Sequence, residues 1–219
     1  KLDFLIIIKF NNSFSKISAD NFIKKILINK LKSKYIFVSR NFRFGKKRTG
    51  DVNTLKKLEK KYSYKTIVTI PFQKNKKIIS SSLIRTNIAA GNVNDAQRYL
   101  GRPWSIKGEV IVGHKRGRKI GFPTCNIKWN SYVLPKLGVY AVKVESKNFK
   151  KNGIANLGYR PTFNGKTLLL EVNIFGIKAN LYKKILKVSF IKFIRPEKKF
   201  KNINELKNQI KKDITAIKK

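Results

Sequence analysis

Residues 113–129 read Gly-His-Lys-Arg-Gly-Arg-Lys-Ile-Gly-Phe-Pro-Thr-Cys-Asn-Ile-Lys-Trp, a run that gathers groups able to handle phosphate. Gly113, Gly117 and Gly121 let a backbone turn and approach a ligand closely. Arg118 and Lys119 supply positive charge, and backbone N–H groups in such a loop add to the attraction for anionic oxygens. Pro123 fixes the turn that follows. In an extended segment alternate side chains share a face, so Thr124 and Asn126 point one way and Cys125 the other. Two neutral oxygens on one face suit a hard cation such as Mg²⁺, of the kind that bridges the phosphates of ATP. The competing reading is a barrel strand that shows ordinary polar residues to solvent.

Phosphoryl transfer to an alcohol is helped by a carboxylate that accepts the hydroxyl proton. From residue 101 onward the acids are Glu109, Glu145, Glu171, Glu197, Glu205 and Asp213. Glu205 and Asp213 fall in a terminal helical pattern. Glu145 stands at a strand end beside a lysine-rich turn, Glu197 follows Pro196 in a basic loop, and Glu109 opens a strand. Glu171 alone sits among apolar and neutral neighbours, in Thr-Leu-Leu-Leu-Glu-Val-Asn-Ile-Phe, on a face shared with Leu169, Asn173 and Phe175. Elimination makes it the candidate base; the alternative is a solvent-facing residue on an edge strand. His114 is the only histidine, too few for a catalytic dyad. Cys125 is the only cysteine, which excludes an intrachain disulfide and suits a reducing cytoplasm. With no paired histidine it reads as packing rather than as a nucleophile.

Two stretches of the first half invite an anion. Ser80, Ser81 and Ser82 precede Arg85 at a helix start, which is either an anion site or plain serine capping. Asn41-Phe-Arg-Phe44-Gly45 opens a basic, glycine-punctuated loop after a strand, a suitable place for a nucleotide.

The elements that must position these groups change in kind along the chain. Residues 4–10 (Phe-Leu-Ile-Ile-Ile-Lys-Phe), 34–39 and 65–72 have strand composition. Between them, a run from Ser18 has apolar residues at helical spacing, and 51–62 gives a second, weaker helix. This alternation predicts an α/β unit with a parallel sheet. Two short helices follow, stopped by Gly91 and Gly101. After Gly101-Arg-Pro-Trp, six short strands succeed one another, which predicts a small antiparallel β-barrel with a C-terminal helix packed on it. The expected domains are 1–100 and 101–219.

The 219 residues are 42% hydrophobic, enough for a packed core, and no apolar run has the length to cross a membrane. The net charge of +40 invites nucleic acid, but it is spread evenly over both halves and is mostly lysine. A chain rich in lysine, isoleucine and asparagine reads as the product of an AT-rich genome, so no specific nucleic-acid partner is expected, only nonspecific attraction to polyanions. The sequence gives no oligomeric state. It starts at Lys1 and contains no methionine, and is therefore expected to be a fragment or a processed form.

Taken in order, these stretches resemble the bacterial bifunctional riboflavin kinase/FMN adenylyltransferase family. The resemblance rests on Leu100–Ile127 with its Gly-Phe-Pro-Thr-x-Asn signature, on Pro-Lys-Leu-Gly-Val-Tyr-Ala-Val, Ile-Ala-Asn-Leu-Gly-Tyr-Arg-Pro-Thr-Phe-Asn-Gly, Leu-Glu-Val-Asn-Ile-Phe, Leu-Tyr-Lys-Lys and Phe-Ile-Arg-Pro-Glu-Lys-Lys-Phe, and on Asn-Phe-Arg-Phe-Gly and Ile-Ser-Ser-Ser-Leu-Ile-Arg in the first half. It implies part of a Rossmann-like nucleotidyltransferase fold followed by a cytoplasmic Greek-key kinase barrel that uses ATP and Mg²⁺ to phosphorylate riboflavin to FMN. By resemblance, Thr124 and Asn126 are the metal- and nucleotide-binding pair, Glu171 is the base, residues 113–121 cover the phosphates, and Arg195 and Phe200 belong to the flavin site. Asn41, Phe44, Gly45, Ser80, Ser81, Ser82 and Arg85 are what this sequence carries of the adenylyltransferase site. That half departs from the pattern: its His-x-Gly-His motif is not in these residues, and Ser39 and Asn41 replace a usual Gly and Asp. The expectation is a riboflavin kinase without FMN adenylyltransferase activity of its own. In the kinase half Asn173, Gly176 and Lys183 replace a common His, Asp and Gly. A non-catalytic flavin- or nucleotide-binding relic and a polyanion-binding protein are the alternatives.

Overall fold

The computed structural model describes residues 3–74, 77–113, 116–128, 132–162, 165–177 and 179–218. They fall into two compact units, Lys1–Ile78 and Ile79–Lys219.

The first unit begins with residues 4–10, which the sequence marks as a strand. They form no ladder with any described strand, and Phe4, Leu5, Ile7 and Phe10 are exposed. Strand composition needs a partner edge to become a strand, and none among the described residues takes this one. Two single turns follow, α1 (Asn12–Ser15) and α2 (Ala19–Asn21), the second capped by Ser18, whose Oγ accepts from the Asn21 amide at 3.3 Å. The expected helix then continues over Phe22–Lys30, wound as a π-helix, with Ile23 fully buried. Strand β1 (Tyr35–Ser39) and strand β2 (Lys65–Thr69) pair in parallel, and helix α3 (Val52–Tyr62) crosses over between them. Ile36 and Val38 face the core while Tyr35 and Phe37 face out, the alternation a one-sided sheet requires. Asp51 caps α3 by accepting from the Thr54 amide at 2.8 Å. That bond and the one from the Thr54 hydroxyl, with Arg43 beside it, lower the Asp51 pKa. Two short strands, β3 (Gln73–Lys74) and β4 (Lys77–Ile78), make a small antiparallel ribbon.

The second unit opens with α4 (Ser81–Ala89) and α5 (Val93–Leu100). Ile88, Val93 and Ala96 join the same core as the barrel strands, so both helices are packed with the barrel. The barrel strands are β5 (Ser105–Ile111), β6 (Cys125–Ile127), β7 (Gly138–Glu145), β8 (Lys150–Thr162), β9 (Gly165–Ile174) and β10 (Ile185–Arg195). They close in the order β10-β5-β6-β9-β8-β7, with every pairing antiparallel. The interior is filled by alternate residues, among them Ile127, Ala155, Leu157, Leu170 and Val172. A single turn, α6 (Arg116–Lys119), sits between β5 and β6, and α7 (Ile203–Lys218) ends the chain. The α/β unit, the antiparallel barrel and the terminal helix are those the sequence predicts. Two barrel strands differ clearly in extent: β6 keeps three residues of the run 119–129 that has strand composition, because Gly121 to Thr124 turn instead of pairing, and β8 extends well beyond 152–158 at both ends, paired with β7 and β9.

Candidate active site

The inward alternation of the barrel leaves a second set of side chains on its outer face, and the sequence-predicted groups belong to that set. On β9, Leu170 and Val172 are buried and Glu171 between them is half-buried. On β6, Ile127 is buried and Asn126 points the opposite way. Strand register puts Asn126 directly opposite Glu171, with Cys125 opposite Val172 and Ile127 opposite Leu170. Directly opposed residues share a face with Cβ atoms about 5 Å apart. The carboxylate and the carboxamide are therefore neighbours on the outside of the barrel.

The glycine loop explains how the pair is covered. A Cβ at Gly113 would overlap Asn126 Nδ2, so the loop backbone lies directly against that carboxamide. A Cβ at Gly117 would overlap the Phe122 carbonyl and come within 3.1 Å of Thr124 Oγ1. The Gly117 carbonyl also accepts from the Phe122 amide at 2.9 Å, which ties α6 to the start of the Phe-Pro-Thr turn. Both glycines are thus needed for close approach to the two oxygen-bearing side chains. His114 and Lys115 lie outside the described residues. Asn173, in the position of the usual histidine, donates from Nδ2 to the Pro123 carbonyl at 2.6 Å and so braces the same turn.

Beside this turn opens a cavity of about 390 Å³, walled by Arg118, Pro123, Thr124, Val172, Leu181 and Tyr182 among others. It brings a cation, a hydroxyl and an apolar wall together, a combination that suits a nucleotide with its base on one side and phosphates on the other. Lys119 and Gly121 are exposed at the turn's outer side. Cys125 points to the barrel interior, where its Sγ lies 3.4 Å from the Val172 carbonyl and burial pushes its thiol pKa up to about 11. A thiol held neutral in this way is packing, as its sequence setting suggested.

Arg195 and Phe200 stand together, the guanidinium 5.8 Å from the ring centroid. Arg195 is also engaged on α7, where its Nη2 donates to Asp213 Oδ2 at 2.8 Å. The groups assigned to the other site are divided between the two units. In the first, Asn41 is exposed, Phe44 is buried and stacked on Phe42 at 5.4 Å, and Gly45 packs against Ala19. In the second, Ser80 Oγ accepts from the Leu83 amide at 3.2 Å and caps α4, while Ser81, Ser82 and Arg85 are exposed in its first turns.

Reading the sequence missed Asn156, which β8 places opposite Glu171 on its other side, and Asn180, Leu181 and Tyr182 of the cavity wall. Asn156 carried a signal: it interrupts Ile-Ala-Asn-Leu-Gly out of phase with the buried Ala155 and Leu157. Leu181 and Tyr182 lie in Leu-Tyr-Lys-Lys, part of the family resemblance, but a loop before β10 gave them no role in a linear reading.

An antiparallel barrel with a carboxylate, a carboxamide and a hydroxyl beside a basic glycine loop is an arrangement that suits the phosphotransferase class. Comparison with known proteins narrows it. Residues 100–219 match the family model described as riboflavin kinase, and residues 1–83 match the one described as FAD synthetase. The chain is 44% identical over 223 residues to the bifunctional riboflavin kinase/FMN adenylyltransferase of Buchnera aphidicola subsp. Schizaphis graminum, covering 100% of this chain and 72% of that protein. It is 41% identical over 219 residues to the protein of the same name from Haemophilus influenzae, covering 100% and 71%. The chain belongs to the bifunctional riboflavin kinase/FMN adenylyltransferase family, and its barrel is a riboflavin kinase domain. Among solved structures, a crystal structure described as a macrolide-efflux protein from Streptococcus pneumoniae superposes with a TM-score of 0.87 at 31% identity, over 95% of this chain and 67% of that one. The efflux wording is that protein's own; no helix of the described residues here is long and apolar enough to cross a membrane.

Proposed function

We propose that the outer-face row Asn126–Glu171, with Thr124 and the 113–121 loop, is the site at which this chain phosphorylates the terminal ribityl hydroxyl of riboflavin with ATP. The observation that carries the reading is the direct opposition of Asn126 and Glu171 across β6 and β9. A general base must stand within reach of the hydroxyl it deprotonates, and the nucleotide must present its γ-phosphate at the same point. In the step, the hydroxyl oxygen forms a bond to the γ-phosphorus as the bond from that phosphorus to the β,γ-bridging oxygen breaks. ADP leaves, and the hydroxyl proton passes to the Glu171 carboxylate and then to water. Arg118 and the loop amides oppose the charge on the transferring group. The cavity beside Thr124 receives the adenine end.

The Thr124 hydroxyl and the Asn126 carboxamide fit Mg²⁺, because both offer neutral oxygens and Mg²⁺ takes few protein ligands when phosphates complete its shell. Bound there, the ion would neutralise charge on the β- and γ-phosphates. Phe200, beside Arg195, belongs to the flavin end of the site. A kinase domain over 101–219 is supported by the family match to residues 100–219, with α4 and α5 packed into the same core. The test is FMN formation from riboflavin and ATP, separated by chromatography, with the divalent ion varied. Activity that requires a divalent ion, is best with Mg²⁺ and falls in Thr124→Ala and Asn126→Ala supports the reading. A folded chain that makes no FMN under these conditions defeats it.

A further inference from the structure

Glu197 is an acid that elimination set aside, and strand pairing gives it a place. One row of residues runs round the outside of the barrel. Arg195 on β10 lies opposite Val139 on β7, Val139 opposite Asn156 on β8, Asn156 opposite Glu171 on β9, and Glu171 opposite Asn126 on β6. Asn156 is thus the immediate neighbour of Glu171 on the side away from Asn126. Its Nδ2 donates to Glu197 Oε1 at 3.3 Å.

Glu197 comes from the segment after β10 and lies flat on β8. Two residues along the same face from Asn156, a Cβ at Gly158 would overlap the Glu197 carboxylate. The Gly158 backbone is not left-handed, so what glycine provides there is room for that carboxylate. The segment is pinned just before it. Arg195 donates from Nε to Asp213 Oδ1 and Oδ2 at 3.1 and 3.0 Å and from Nη2 to Oδ2 at 2.8 Å, and from Nη1 to the Pro196 carbonyl at 3.0 Å. Gln209 Nε2 adds a bond to Asp213 Oδ1 at 2.8 Å, and Asp213 is 4% exposed. A charged pair that deep, with its oxygens met from two elements, fixes the chain direction at Pro196.

We propose, resting on the kinase reading above, that Glu197 is a positioning residue for the phosphoryl acceptor. Seated on Gly158 and held by the Arg195–Asp213 pair, it orients the Asn156 carboxamide beside Glu171. A carboxamide held through one N–H presents its other donor and its acceptor in one arrangement. A polyhydroxy chain, which offers both donors and acceptors, is thereby aligned with its terminal hydroxyl at the base. The effect falls on the flavin half of the reaction and leaves the nucleotide half alone.

The experiment compares the parent with Glu197→Ala, Glu197→Gln and Gly158→Ala. The readouts are kcat and KM for riboflavin and for ATP, riboflavin binding by quenching of flavin fluorescence, and the thermal unfolding midpoint. Glu197→Ala is expected to lose about tenfold or more in kcat/KM for riboflavin, the scale of a hydrogen bond to a charged group. Its KM for ATP and its unfolding midpoint stay at the parent's values. Gly158→Ala, which displaces the carboxylate without altering it, gives the same pattern. Glu197→Gln, whose carbonyl oxygen still accepts from Asn156, keeps most of the activity. If Glu197→Ala and Gly158→Ala match the parent toward riboflavin, or lose flavin and ATP parameters together with the unfolding midpoint, the proposal is overturned while the kinase reading stands. If the parent neither binds riboflavin nor makes FMN, the kinase reading falls and takes the proposal with it.

Discussion

At Gly113 the barrel admits no side chain, because a Cβ would take the space of Asn126 Nδ2. Gly113→Ala is therefore expected to push Asn126 out of its place opposite Glu171 and lower kcat for FMN formation. The unfolding midpoint should hardly move, since the residue lies beyond the end of β5. Steady-state rates set beside a melting curve check this, and an unaffected kcat counts against the role of the loop. Cys125 gives a pH prediction. Its folded pKa of about 11 lies above the ordinary 9.0. The buried neutral thiol therefore stabilises the barrel below about pH 9, and that contribution is lost as the pH rises through about 11. Melting curves between pH 9 and 11 should fall more steeply for the parent than for Cys125→Ala. Equal slopes would mean that the thiol is not held in an apolar setting. The candidate groups came from the sequence, Thr124 and Asn126 from their alternation and Glu171 by elimination. What a linear reading could not supply was their partner across the sheet.

That partner is set by elements. Register between β6 and β9 comes from which residues fill the barrel, and a slip of one residue would turn Asn126 and Glu171 inward. Sequence alternation showed which face each residue prefers, but not that β6 stands between β5 and β9 in the closed order. The strand-like run 4–10 shows the converse limit. Composition marked a strand, yet pairing is a property of two segments, and no described strand pairs with this one. Asn156 escaped notice, and Glu197 was set aside, for a similar reason. Each lies far along the chain from Glu171 and meets its row only through β8 and the segment after β10. At this scale the Arg195–Asp213 pair is the joint that docks α7 on the barrel. Asp213→Ala leaves a largely buried guanidinium without its partner and is expected to lower barrel stability by about 3 kcal/mol. Urea unfolding measures it, and a variant as stable as the parent would show that α7 docks through its apolar stripe alone.

Over the whole molecule the net charge is +40, from 51 lysines and arginines against 11 acids. Spread over both halves and dominated by lysine, it predicts nonspecific attraction that salt releases. Retention of a DNA duplex should fall steeply as salt rises, while FMN formation persists at salt concentrations that abolish retention. Sequence-specific binding that survives moderate salt would contradict this and favour a nucleic-acid role. The family match places residues 1–83 and 100–219 in the two halves of one bifunctional line, so the barrel is the part whose chemistry is most fully displayed by this chain. The measurement that tests the central claim most directly is FMN formation by Glu171→Gln beside the parent, with riboflavin binding followed in both. Riboflavin binding is expected to stay close to the parent's while kcat falls by about a hundredfold or more, the scale of a missing general base. A variant that binds riboflavin and turns over at the parent's rate would contradict it and move the base elsewhere.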